Sequence, residues 1–236
     1  MKKTLSLIAV LAITGLVNTP AQAATRYVSG LAGVSWFNDS DIESASQPGY
    51  NNTVKFDAGF TGVAAIGCKN GNTRLEAELG YQRNSIKSNV FYATGGLDGG
   101  YYGDIYSGSG KASIYSLMGN AFYDIPVGRG VEVYGMAGVG AAQVNVNVDV
   151  NVDQYEGTPI GSPYASYFYN TYKAHETTFA YQFGAGVAIP ISKGVKLDAR
   201  YRYFAVTPFT IDTSLYGPMN VNASSSSVLL GLRVDL

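Results

Sequence analysis

Hydrophobic and polar residues alternate with a period of two in several segments of this chain. In residues 73–84, apolar side chains such as Leu79 are separated by charged ones such as Glu78, and residues 195–203 and 228–236 repeat the pattern. In a β-strand, successive side chains point to opposite faces. These segments therefore predict strands with one apolar face and one charged face.

Five further segments alternate less regularly and complete a set of eight predicted strands. Each strand is about 12–15 residues long, and a tilted strand of about 9–11 residues already crosses a bilayer. The less regular segments lie near 26–37, 54–67, 111–125, 131–144 and 176–189.

The connections between these strands alternate in length. The short ones, near 68–72, 126–130 and 190–194, are rich in Gly, Pro and Asn, as tight turns are. The long ones lie near 38–53, 85–110, 145–175 and 207–222. Short turns on one rim and long loops on the other are typical of an all-β, eight-stranded antiparallel up-and-down transmembrane β-barrel. The alternation also continues through 144–153, so this part can pair with 164–172 as a hairpin above the membrane surface.

The first residues have the pattern of an export signal. A short positive segment (Met1 to Lys3) precedes an apolar stretch, and Ala21-Gln22-Ala23 supplies a small-x-small cleavage site. We therefore predict a signal peptide over 1–23, a barrel over 24–236 and a location in the outer membrane.

Composition excludes several classes of function. Lys plus Arg number 16 and Asp plus Glu 17, which leaves no basic surface typical of nucleic-acid binding. One Cys and one His cannot build a Cys-rich or His-rich metal centre. We predict no cofactor, no metal and no catalytic residues, and we interpret Cys68 as an incidental thiol.

Alternation alone does not decide which face of each strand is inside. Export, the sorting of the loops by length and the mixed signs on the charged faces favour an outward apolar face. An eight-stranded lumen is just wide enough to be filled by side chains, and charges buried there need partners. The alternatives are a salt-bridged plug, which we favour, and a gated ion path. The predicted lumen network comprises Lys55, Asp57, Arg74, Glu76, Glu78, Lys196, Asp198, Arg200, Arg202 and Arg233.

Within this network, Glu78 on the third strand and Arg200 on the seventh fall at similar heights. The two strands face each other across the barrel, so we predict that these side chains pair, with Arg202 as the second choice. Aromatic residues near the strand ends are predicted to lie at the lipid headgroups, as girdles. They are Trp36, Tyr81, Tyr115, Tyr123, Phe179 and Tyr203.

Four strand segments carry a resemblance to a known family. They are Arg74 to Tyr81, Phe183 to Val187, Lys196 to Phe204 and Leu229 to Arg233. In this order they resemble the opacity-protein and surface-antigen family of eight-stranded outer-membrane barrels, which is similar in architecture to the membrane domain of outer membrane protein A. One difference is the terminal Leu236, where such barrels usually end in an aromatic residue.

The resemblance implies a structural barrel that contacts lipid and carries surface interactions on its long loops. Tyr and Ser in these loops are typical of adaptable contact surfaces and favour host or surface ligands as partners. We favour a monomeric state. A narrow porin-like channel is the alternative function. A lipid-modifying barrel enzyme is the remote one, since His175 lies beside Thr177 and Thr178 without a nucleophile motif around it.

Overall fold

The computed structural model describes residues 24–38, 40–44, 51–54, 57–95, 102–154, 166–213, 217–221 and 223–236. The predicted signal peptide lies outside these ranges and remains a prediction. No helix in the described part of the chain is long and apolar enough to cross a membrane. The strands are β1 (Thr25–Phe37), β2 (Ser40–Ser44), β3 (Asn51–Val54), β4 (Gly59–Asn70), β5 (Thr73–Gly95), β6 (Tyr102–Gly128), β7 (Val131–Gln154), β8 (Ser166–Ser192), β9 (Val195–Val206), β10 (Phe209–Thr213), β11 (Gly217–Val221) and β12 (Ser224–Asp235).

Eight of these strands form a closed antiparallel barrel, as the alternation predicts. The order around the barrel is β1-β12-β9-β8-β7-β6-β5-β4. The first and last strands close the ring, with a register that runs from Tyr27 opposite Asp235 to Phe37 opposite Ser225. Closure removes the sheet edges, so every spanning strand has a hydrogen-bonded neighbour on both sides.

Much of the sequence expected to form long loops is β-structure instead. Strands β5 to β8 are 23 to 27 residues long and continue as paired hairpins beyond the barrel wall. The predicted hairpin is among them, since Val148 lies opposite Tyr172 and Asp153 opposite Tyr167. The prediction of loops was wrong here because stretches rich in Gly, Ser and Tyr lack a clear apolar face, yet they pair once the barrel aligns their bases.

A second, four-stranded sheet is built from the other two long connections. Its order is β10-β11-β2-β3, and it joins the segment after β1 to the segment after β9. The second predicted strand, near 54–67, is therefore two elements. The short β3 belongs to this sheet, and β4 begins only at Gly59.

Tight turns at the opposite rim rely on positive backbone angles. Gly71 follows Asn70 with φ of 58°, and Gly194 follows Lys193 with φ of 73°. Arg129 and Gly130 both have positive φ, at 52° and 76°, which is the conformation that suits a two-residue hairpin turn. These three turns lie where the short connections were predicted, and they set the register of the charged residues above them.

Burial in the barrel is inverted relative to a water-soluble domain. Arg74 and Glu78 are fully buried at 0% exposure, whereas Leu79 and Leu230 are exposed at 64% and 56%. An outward apolar face around a polar interior suits a barrel surrounded by lipid. The apolar faces of the strands therefore form the outer wall, and the charged faces form the lumen.

This orientation predicts which substitutions stop assembly. Changing Leu79 or Leu230 to Arg places a charge against lipid, and we expect a loss of up to about 4 kcal/mol in folding free energy, the larger loss being at the deeper position. The measurement is the fraction of protein that migrates as the compact, heat-modifiable form on an unboiled detergent gel. Thr73→Arg is the matched control, because Thr73 lies on the same face of β5 at its first, exposed residue. Equal losses at Thr73 and Leu79 would contradict the orientation.

Candidate functional site

The lumen of the barrel holds the densest set of charged side chains in the described residues. At the rim with the short turns, Glu132 is the centre of a cluster. Its Oε1 lies 2.6 Å from the Nζ atoms of both Lys69 and Lys196, and its Oε2 lies 2.7 Å from Nη2 of Arg233. Three strands thus converge on the carboxylate that β7 supplies.

One level further in, Arg74 binds two carboxylates. Its Nε donates to both oxygens of Asp124 at 2.9 Å, and its Nη1 lies 3.2 Å from Oε1 of Glu76. The guanidinium also stacks over the ring of Phe122, 4.1 Å from its centroid. Because Lys69 contacts Asp124 as well, at 2.7 Å, this level is joined to the rim cluster.

Two tyrosines lie inside the barrel over glycines of the neighbouring strand. A Cβ at Gly67 would lie 2.5 Å from the hydroxyl of Tyr27, and a Cβ at Gly186 would lie 2.4 Å from the hydroxyl of Tyr134. Tyr27 donates to Glu76 at 2.8 Å, and Tyr134 donates to Asp198. Because glycine has no side chain, Gly67 and Gly186 leave room for the two tyrosine rings, whose hydroxyls reach buried carboxylates.

Glu78 lies at the centre of the lumen and contacts four residues from three other strands, β6, β8 and β9. Arg200 Nη1 lies 3.0 Å from its Oε2, and Arg202 Nη1 lies 3.5 Å from its Oε1. Asn120 donates to Oε2 at 3.1 Å and Gln182 to Oε1 at 3.2 Å. The contacts to the two arginines reach across the lumen, since β5 and β9 are separated by three strands on either side of the ring.

Toward the long hairpins the lumen is neutral. Ser225 donates to Gln82 at 3.1 Å, and Gln82 and Ser35 both donate to Oδ1 of Asn84 at 3.1 Å. An apolar cluster built around Phe204 fills the other side of this level. Its other buried members are Ile114, Met118, Ala142, Val144, Ala180 and Val206.

The structure brings most of the predicted lumen residues together. The predicted contact between Glu78 and Arg200 is present, and Arg202 reaches the same carboxylate, so the first and second choices act together. Asp57 is a correction: it is exposed and precedes β4, where the chain is not a strand and alternation gives no direction. Lys55 lies outside the described residues.

The pattern analysis missed several lumen residues for identifiable reasons. Lys69 was assigned to a turn because the second strand was predicted to end at 67, whereas β4 continues to Asn70. Tyr27 lies on the first strand, whose two faces are equally apolar. The partner amides Asn120 and Gln182 are uncharged, and the only signal for them is their position in the alternation.

The six predicted interface aromatics all occupy outward positions of barrel strands. Trp36 and Tyr203 are both in register with Ser226, and Tyr81 lies opposite Tyr115 with the ring centroids 5.0 Å apart. Phe179 shares this end of the barrel. Tyr123 is 58% exposed near the short turns. These are the positions that headgroup girdles require.

Other chemical groups are less concentrated. Among the described residues, no three His, Cys, Asp or Glu side chains are placed to hold a metal ion. Cys68 is a half-buried free thiol. His175 is exposed on β8 opposite Asn145, and Thr178 points inward to share a hydrogen bond with Thr207 at 2.7 Å.

Comparison with known proteins agrees with this architecture. The outer membrane protein beta-barrel domain family matches residues 9–233. The chain belongs to this family. It is therefore an outer-membrane β-barrel protein, and the buried charges described above fill the lumen of a membrane-spanning barrel.

Individual relatives are distant. The chain is 32% identical over 173 residues to an outer membrane protein of Gluconacetobacter diazotrophicus, a match that includes 69% of this chain but 41% of the relative's length. Among solved structures, it is similar to Neisserial surface protein A at 18% identity and a TM-score of 0.47, with 91% of this chain and 100% of that one covered. It is also similar to OprG from Pseudomonas aeruginosa at 12% identity and a TM-score of 0.49, with 91% and 96% covered.

The tyrosine over Gly186 predicts a steric requirement. A valine at this position would overlap the Tyr134 ring and displace its hydroxyl from Asp198, and overpacking of this kind costs about 1–3 kcal/mol. We expect Gly186→Val to lower the temperature at which the compact form converts to the unfolded form on gels. Gly135→Val is the control, because a Cβ at Gly135 meets no atom within 4 Å. An unchanged midpoint for Gly186→Val would show that the ring is not held there.

The contacts of Glu78 predict that its removal and the removal of Arg200 lower the stability by different amounts. Glu78→Ala leaves both Arg200 and Arg202 without this carboxylate, whereas Arg200→Ala leaves Glu78 in contact with Arg202. Removing one partner of a buried pair costs about 3–5 kcal/mol, so we expect Glu78→Ala to be the more destabilising single change in urea unfolding.

The double variant provides the check on this pairing. If the two side chains interact directly, the double variant loses less stability than the two single losses added together. Strict additivity would contradict direct pairing, and Glu78→Gln, which keeps the shape without the charge, separates the loss of charge from the loss of packing.

Proposed function

We propose that this protein is a structural outer-membrane barrel whose lumen is closed to ions and whose hairpins beyond the membrane serve as a contact surface. The observation that carries the proposal is the position of Glu78. Its carboxylate is fully buried at mid-lumen and is bridged by Arg200, Arg202, Asn120 and Gln182. A side-chain bridge that spans the lumen leaves ions no continuous water-filled path.

The charges of the whole lumen network are nearly balanced, which supports a plug. Eleven charged side chains take part in the described lumen ion pairs or in the Tyr134 contact, six of them basic and five acidic. Paired charges in a low-dielectric interior hold one another in place. A selective pore instead needs a surplus of one sign along its path, and here the surplus is a single positive charge.

A narrow channel is the second candidate function, and the continuity of the polar groups favours it. Charged side chains succeed one another from Glu132 at the rim through Arg74 and Glu76 to Glu78. Beyond Glu78, the amides of Gln82 and Asn84 continue the polar series. Displacement of one arginine from this series would open a hydrated path.

The surface role rests on the length of the hairpins. Strands β5 to β8 remain paired well past the outward aromatics, to Gly95 opposite Tyr102 and Gln154 opposite Ser166. A paired sheet is a firmer platform for recognition than a loop, and the sequence of these hairpins is rich in Tyr and Ser, which are adaptable contact residues. We propose host or surface ligands as partners through this sheet, no catalytic role for His175, no cofactor and a monomeric barrel.

Conductance in planar lipid bilayers distinguishes the plug from the channel. We expect the wild-type barrel to be silent, and we expect Arg200→Ala to produce discrete openings because it removes a large side chain that bridges the lumen. Tyr201→Ala is the matched control, since Tyr201 is the next residue along β9 and points outward, so it should stay silent.

A conducting wild-type barrel would contradict the plug. Steady wild-type channels whose ion selectivity, but not stability, changes in Arg200→Ala and Glu78→Ala would overturn the plug and favour the channel.

A further inference from the structure

A group of basic side chains lies on the outer wall of the barrel, on the side of Tyr81 and Tyr115 that leads to the long hairpins. Arg83 on β5, Lys111 on β6, and Lys173 and His175 on β8 are all exposed. They alternate with inward residues such as Gln82, Asn84 and Ala112, which are buried. Unlike the arginines of the lumen, these side chains therefore face the surroundings of the barrel.

The strand register places the basic side chains next to one another. Arg83 lies opposite Ser113, and Lys111 is two residues away on the same face of β6. Lys111 lies opposite Asn147, which in turn lies opposite Lys173. Neighbouring strands are about 4.8 Å apart, so the backbones at Lys111 and Lys173 are about 10 Å apart, a gap that two lysine side chains can close around one anionic group.

The depth of the group is set by the aromatic residues below it. Arg83 is two residues beyond Tyr81. Lys111 is four residues beyond Tyr115, which lies opposite Tyr81 on the neighbouring strand. On a strand that rises about 3.3 Å per residue at a tilt of about 40°, these separations correspond to heights of roughly 5 and 10 Å. Since the tyrosines occupy the position of a headgroup girdle, the basic side chains lie at the level of the outer-leaflet headgroups or just above it.

The small polar residues among these basic side chains complete a hydrogen-bonding surface. Ser113, Asn145 and Asn147 occupy the outward positions between the basic residues. The neighbouring acidic residue on this face, Asp149, lies one step further from the membrane, opposite Ser109 and Thr171. None of the ion pairs in the described part of the chain includes Arg83, Lys111, Lys173 or His175.

We propose that Arg83, Lys111, Lys173 and His175 form a binding site for the phosphorylated headgroup of an outer-leaflet glycolipid. Arginine forms bidentate hydrogen bonds with phosphate oxygens, and lysine acts as a flexible point charge. The serine and asparagine side chains suit the sugar hydroxyls. A lipid is favoured over a soluble anion because the site is continuous with the lipid-facing wall through Tyr81 and Tyr115, so acyl chains can lie on the apolar residues below the same headgroup. Basic groups at this depth are a recognised means of holding anionic lipids.

The test is a titration of fluorescent lipid A, a phosphorylated glucosamine lipid, into the folded barrel held in neutral detergent micelles. We expect the triple variant Arg83→Gln, Lys111→Gln, Lys173→Gln to raise the apparent Kd at least tenfold. The control is a second triple variant, Arg26→Gln, Arg129→Gln, Lys193→Gln, which removes the same number of exposed positive charges from the opposite end of the barrel. The control should remain within twofold of the wild type.

Further arms identify the source of the phosphate and protect the result from folding artefacts. Lipid A stripped of its phosphates should bind the wild type no better than it binds the triple variant, and inorganic phosphate or a soluble sulfated glycan should not displace the lipid. The single variant Lys173→Gln, isolated as the heat-modifiable form, should show a smaller shift in the same direction. Equal binding by the wild type and the triple variant, an equal loss in the control, or displacement by the soluble anions would overturn the proposal.

Discussion

The buried carboxylate of Glu78 is the interaction on which the rest of this barrel depends. A carboxylate without partners in a dry interior costs several kcal/mol, and here it lies between Arg200, Arg202, Asn120 and Gln182. Strands β6, β8 and β9 must therefore keep their register relative to β5 for the charge to keep these partners. The side chains that bridge the lumen at Glu78 also connect four strands of the barrel.

The surrounding levels follow from that constraint. Glu76 lies 3.8 Å from Arg200 and also contacts Arg74 and Tyr27, so the central bridge is joined to the rim cluster around Glu132 through a chain of charged groups. Gly67 and Gly186 matter because they admit the tyrosine rings that reach Glu76 and Asp198. Lipid outside and a paired polar network inside are two consequences of one arrangement, in which the apolar face of each strand takes the outer wall.

The outer wall of the barrel also carries basic side chains, but these face the medium instead of a carboxylate of the chain. Inside, each arginine meets a carboxylate that the chain itself supplies; outside, Arg83, Lys111 and Lys173 face the medium just beyond Tyr81 and Tyr115. The same alternation that sends Gln82 and Asn84 into the lumen sends Arg83 outward. Strand β5 thereby supplies side chains to both the lumen and the outer wall.

The sequence by itself determined the number of barrel strands, the positions of the short turns and most members of the charged face, because a period of two needs no knowledge of neighbours. It also predicted the contact between Glu78 and Arg200, since strand order and residue counting place both at one height. Only the tertiary structure decided that Arg202 shares Glu78, that Asp57 is exposed just before β4 and that the long connections pair as sheets. Those outcomes depend on how the strands are staggered around the barrel, on the reach of each side chain and on the glycines that leave room for Tyr27 and Tyr134. The alternation within a single strand carries no information about any of these.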